Sequence, residues 1–138
     1  MKTALALSAL VLLAASDAPQ FPVAMLFHGC GPTDGPTIRL TLATSGKACG
    51  PKATNTLTLV VDGSAPKTGT AYDVTSMNAM RCPKPGKCDA AKKASLRFDE
   101  FTDGKSAKGH WTATLKDGRA LEGDFDAFFC DATPAPCG

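Results

Sequence analysis

The chain has almost no surplus of charge: 15 Lys and Arg stand against 13 Asp and Glu, a formal net charge of +2. That leaves no broad basic footprint and argues against nucleic acid as a partner. Beyond residue 16 no apolar run reaches the length needed to cross a bilayer, so no membrane span is expected. There is no C-x-x-C pair, and the two histidines, His28 and His110, lie far apart in the chain. Both facts remove the common zinc frameworks. No G-x-S-x-G elbow presents a serine, and no Gly-rich loop leads into a helix, so nucleophilic and phosphate-cradling chemistry lack a carrier. With two His and one Tyr the set of acid–base groups is thin. Neither catalysis nor a cofactor is expected.

What is present begins with an export signature. Lys2 precedes an Ala/Leu-rich run from Ala4 to Ala15, and Ala14-Ala15-Ser16 sets small residues where a signal peptidase reads them. Residues 1–16 are therefore expected to be a removed signal peptide. Residues 17–138 then form a single β-rich domain ending in a Pro-rich tail, secreted or periplasmic. Export gives the six cysteines a meaning, because an even number in an oxidising compartment reads as three disulfides. The simplest pairing joins neighbours: Cys30 with Cys49, Cys82 with Cys88, and Cys130 with Cys137.

Thirteen Gly and ten Pro punctuate the chain so often that no long helical window survives. The best helical stretch is short, Asp89 to Lys93. Between the punctuators, Ile38, Leu40 and Leu42 alternate with polar residues, as do Leu57, Leu59 and Val61, which is the period of half-buried strands. Phe21 to His28, Thr68 to Val74 and Ala94 to Phe101 add further strands. In the last of these the parity of Leu96 and Phe98 is broken by Phe101, which calls for a bulge near Asp99 and Glu100 or for burial of both faces. Six to eight short strands with a terminal meander point to an all-β fold, an antiparallel sandwich or small barrel stabilised by disulfides.

The last hairpin fixes its own register. A three-residue loop of Lys116, Asp117 and Gly118 pairs Ala113 with Leu121 and Trp111 with Gly123, and gathers Trp111, Ala113, Leu115, Leu121, Phe125, Ala127 and Phe129 on one face. A two-residue loop would mix charged and apolar side chains on both faces. The same register sets His110 across from Asp124 and Lys108 across from Asp126, with Glu122 beside them. Such a face suits a weak cation site or a His–Asp base pair, and equally a solvated face with cross-strand charge pairs.

A second feature is the run from Arg81 to Cys88, in which a Cys82–Cys88 bridge would close a small ring displaying Lys84 and Lys87. A pre-ordered basic loop is how many secreted inhibitors present a residue to trypsin-like pockets. Against this, Lys84 is followed by Pro85, a bond that serine proteases rarely accept. Stability devices thus outnumber reactive constellations. The expected function is a non-catalytic exported binding or envelope-associated protein with an unknown protein or glycan partner, and inhibition through the Cys82–Cys88 loop is the alternative.

Overall fold

Alternation of apolar and Thr-rich positions, broken by Gly and Pro, gives nine strands in a computed structural model that describes residues 21–50, 52–134, 136 and 137. The expected signal peptide, residues 1–16, lies outside the described residues. The strands are β1 (Val23–Cys30), β2 (Pro36–Ser45), β3 (Thr54–Asp62), β4 (Ala71–Val74), β5 (Ala79–Lys84), β6 (Lys87–Ala90), β7 (Lys93–Thr102), β8 (Ser106–Thr114) and β9 (Ala120–Phe129). They form one mixed sheet in the order β4-β7-β8-β9-β1-β2-β3-β5-β6. Among the described residues the one helical element is a 3₁₀ turn, Ser76–Asn78. The helix expected at Asp89 to Lys93 is corrected: Asp89 and Ala90 close β6 and Lys93 opens β7, because pairing with neighbouring strands overrides a weak local preference.

Chain connectivity forces this sheet to curl. β4 is one edge, yet only Thr75 and the 3₁₀ turn separate it from β5, beside the opposite edge. Ala91 and Lys92 alone join the edge strand β6 to β7. Links this short reach on the order of 10–14 Å, so the two edges must come close together. Accordingly β3 touches both β4 and β7 across the interior. Leu26, Leu40, Leu42, Leu57, Leu59, Leu96 and Phe98 meet there in one core, with Trp111, Leu121 and Phe125 from the meander.

The β7–β8–β9 meander follows the sequence closely. Leu115 N–H donates to the Arg119 carbonyl, Gly118 takes φ 90°, and Trp111 pairs with Gly123. All seven apolar residues of the expected face are buried or half-buried. Gly123 is glycine for a steric reason, since a Cβ there would lie 3.1 Å from the Trp111 indole nitrogen. The register of β7 against β8 shifts between Phe98 and Glu100, which is the bulge that the parity break calls for. Phe128, by contrast, has no cover among the described residues and is 68% exposed on the outer face.

Two corrections arise where β1 meets β9. The pairing there is parallel, Met25 with Phe128 and Leu26 with Phe129, so the sheet is not wholly antiparallel. The disulfides also differ: Cys82–Cys88 is as expected, but the others are Cys30–Cys137 and Cys49–Cys130. Cys49 donates its N–H to Met25 Sδ, and Cys130 donates its N–H to the Leu26 carbonyl. Leu26 lies about 13 Å back along β1 from Cys30, beyond the roughly 7 Å limit for bridging Cα atoms. Neighbours in sequence are therefore not neighbours in space. The tail is fastened to β1 through Cys30 rather than to the last strand, and both long-range bridges brace the short parallel seam.

Candidate functional site

Each end of the curled sheet carries a buried basic side chain, and the two are satisfied differently. At the end where β1 finishes, His28 shares the inward parity of Leu26 and its side chain is only 3% exposed. Its Nε2 lies 2.7 Å from Asp103 Oδ1 in the β7–β8 turn, and its Nδ1 lies 3.1 Å from Asp131 Oδ1 just past β9. Its backbone N–H also donates to the Asp131 carboxylate. The ring stacks on Phe129 with centroids 4.4 Å apart. Burial works against the charged form. The Asp103 hydrogen bond and the charges of Asp131 and Asp103 outweigh it, so the pKa is raised above the ordinary histidine value. With both nitrogens held by carboxylates, His28 is a clamp joining β1, the β7–β8 turn and the C-terminal segment. Neither nitrogen is left free to act as a base.

At the opposite end sits Arg81, on the inward-facing side of β5 in register with Leu57. It is 8% exposed. One terminal nitrogen donates to the Thr56 carbonyl at 3.0 Å, the other donates to Asn55 Oδ1, and the guanidinium lies 5.5 Å from the centre of the Phe21 ring. Asn55 holds φ 56°, a left-handed conformation that asparagine tolerates better than most residues. No carboxylate among the described residues bonds to Arg81, and its Nε is buried without a partner. Burial and the nearby Arg119 charge push its pKa down from the usual arginine value.

Arg81 lines a cleft of about 380 Å³ between the β5–β6 hairpin and the β8–β9 turn, with Leu115, Lys116 and Arg119 on the other wall. Its carboxylates are already engaged: Asp117 Oδ2 is 2.8 Å from Arg119 Nε, and Asp89 Oδ1 is 3.4 Å from Lys116 Nζ. The most deeply buried charge in the cleft thus has no counter-ion. A buried donor without an acceptor typically costs about 1–3 kcal/mol.

The residues singled out from the sequence fall elsewhere. Register brings His110 and Asp124 together with Nδ1–Oδ1 at 2.8 Å, Nε2 lies 3.5 Å from Glu122, and Lys108 is 3.8 Å from Asp126. Asp124 is 89% exposed, so this face is open to water. No group of three or more His, Cys, Asp or Glu among the described residues has the geometry to hold a metal ion. Lys84 and Lys87 pair across a tight Pro85-Gly86 turn, exposed at the tip of the Cys82–Cys88 ring. A one-residue register shift after Arg81 coincides with Pro83, which has no N–H for the ladder.

Sequence reasoning did not find His28 or Arg81 as sites. The partners of His28 lie 75 and 103 residues away in the chain. For Arg81 one local signal existed: it shares the parity of the buried Ala79, which puts a charge on the apolar side of a strand. Compared with protein-family models, curated proteins and solved structures, the chain matches none of them.

Proposed function

We propose that this is an exported, non-catalytic binding protein, acting in the periplasm or the surrounding medium, whose ligand occupies the Arg81 cleft. The observation that carries this reading is the buried, partly unsatisfied guanidinium at the wall of a cleft of about 380 Å³. The volume lies within the roughly 300–1,000 Å³ range of small-molecule sites. The disulfides and the interlocked sheet supply the rigid support that such a site needs. The test uses an Ala90→Trp variant, because Ala90 is an exposed residue at the cleft and the indole would fill it. A panel of small molecules, peptides and oligosaccharides is screened by thermal shift against both proteins. A ligand should stabilise the parent and fail to stabilise the variant; ligands that stabilise both equally would remove the cleft reading.

A second reading, protease inhibition through Lys84 or Lys87, is favoured by the closed Cys82–Cys88 ring and the exposure of both lysines. It ranks second because Lys84-Pro85 sits at the corner of a tight hairpin, whereas a protease cleft grips an extended segment. Trypsin-like proteases assayed with the parent and with Lys84→Ala and Lys87→Ala decide it. Absence of inhibition by the parent removes this reading.

A further inference from the structure

We infer that the Arg81 cleft takes a small-molecule carboxylate carried on an apolar body, with the anion between Arg81 and Arg119 and the body against Pro83, Ala91 and Leu115. The inference rests on the reading of this cleft as the binding surface and adds the chemistry of its occupant.

Charge comes first. Arg81, Lys116 and Arg119 face the cleft together with two carboxylates, Asp89 and Asp117, which leaves a balance of one positive charge. One negative charge on the ligand cancels it, whereas a phosphate dianion would overshoot. Geometry points the same way, since a guanidinium presents its donors as a planar fork that matches the two oxygens of a carboxylate. Arg81 is already fixed by Asn55, Thr56 and Phe21, so little side-chain freedom is lost when a ligand binds. Arg119 stands close enough to depress the Arg81 pKa, and an anion between the two would relieve that repulsion. The apolar part follows from the rest of the lining, where the exposed Pro83 and Ala90 stand beside Ala91 and Leu115 at the edge of the protein's own core. A bare small anion would leave that surface wet.

The experiment uses the full oxidised protein with five probes: benzoate, hexanoate, acetate, inorganic phosphate and benzyl alcohol. Affinity is read by calorimetry, and position by the NMR signal of the Arg81 Nε–H. Benzoate or hexanoate should shift that signal and bind at least about tenfold more tightly than the other three, about the discrimination that one charge-assisted bond supplies. Arg119→Gln, a change at an exposed residue, should weaken binding by about tenfold. Arg81→Lys should abolish the preference for carboxylate. If Arg81→Lys does not fold, the Arg119 variant and the Nε–H signal still decide the matter. Benzyl alcohol binding in the cleft as tightly as benzoate would overturn the carboxylate assignment while leaving the cleft a binding surface. Acetate or phosphate matching benzoate would overturn the apolar body. Failure of every probe to bind would take down both the inference and the reading beneath it.

Discussion

Removing the long-range disulfides one at a time and then together tests whether they brace a common seam. The bridges enclose 107 and 81 residues, and the first surrounds the second. Taken alone, chain entropy assigns about 4.8 kcal/mol to the outer loop and about 4.5 kcal/mol to the inner one. Nesting changes these figures. With Cys49–Cys130 in place, Cys30–Cys137 closes a ring of only about 26 residues and contributes about 3.5 kcal/mol. The inner bridge, with the outer one kept, contributes about 3.3 kcal/mol by the same reasoning. Replacing either pair with Ala should therefore cost about 3.5 kcal/mol. Losing both should cost about 8 kcal/mol, enough to unfold most domains of this size. The six-residue Cys82–Cys88 ring should cost about 2 kcal/mol. Guanidinium chloride unfolding of the three single-pair variants and the double variant measures each value. The reasoning is refuted if the short ring costs as much as a long-range bridge, or if the double variant stays folded with a loss below about 4 kcal/mol.

The His28 clamp makes stability depend on pH in a defined direction. Its folded pKa is raised, so the stabilisation is complete below the unfolded value near 6.5 and disappears as pH rises through the higher folded value. The unfolding midpoint should fall across that window, and His28→Gln should flatten this limb while costing about 1–2 kcal/mol at pH 6 after screening of the half-exposed carboxylates; an unchanged slope would show that another group titrates. Gly109→Ala would drive its Cβ into the Arg97 carbonyl on the neighbouring strand and should cost about 3 kcal/mol or more. Gly123→Ala presses only on the Trp111 indole and should cost about 1–2 kcal/mol with a shift in tryptophan emission; equal losses would contradict this contrast. Arg81→Met removes a desolvated cation that has no carboxylate partner, but also the donors to the Thr56 carbonyl and Asn55 Oδ1, and should lose about 1–2 kcal/mol. A loss above about 2 kcal/mol in chemical unfolding would make Arg81 a structural residue instead of a ligand group.

The sequence was most informative where one face of a hairpin had to be buried. From Trp111 to Phe129, alternation and a Gly-containing loop admit one register without wasted side chains, and the structure adopts it. The β7 bulge was legible for the same reason, since Leu96, Phe98 and Phe101 cannot share a face without it. What escaped depends on which strands become neighbours after the chain has folded back. The pairing of Cys30 with Cys137, the parallel contact of β1 with β9, and the gathering of Asp103 and Asp131 around His28 all follow from one closure. Alternation within a strand carries no information about it. The strands β5 and β6 were missed because Pro83, Pro85 and Gly86 read as a loop, although the register shift at Pro83 accommodates them in a hairpin.

The order of the thiols along the chain bears on how such a protein matures. A polypeptide threaded N-terminus first through a membrane, as proposed here, presents Cys30 and Cys49 to an oxidase well before Cys130 and Cys137 arrive. An early bond between the first two would hold β1 and the segment after β2 in a geometry that excludes the last strand. Efficient maturation then calls for a disulfide isomerase, or for oxidation slow enough to wait for β9. Yield of the correctly linked isomer would be limited by that reshuffling step rather than by the intrinsic stability of the finished molecule.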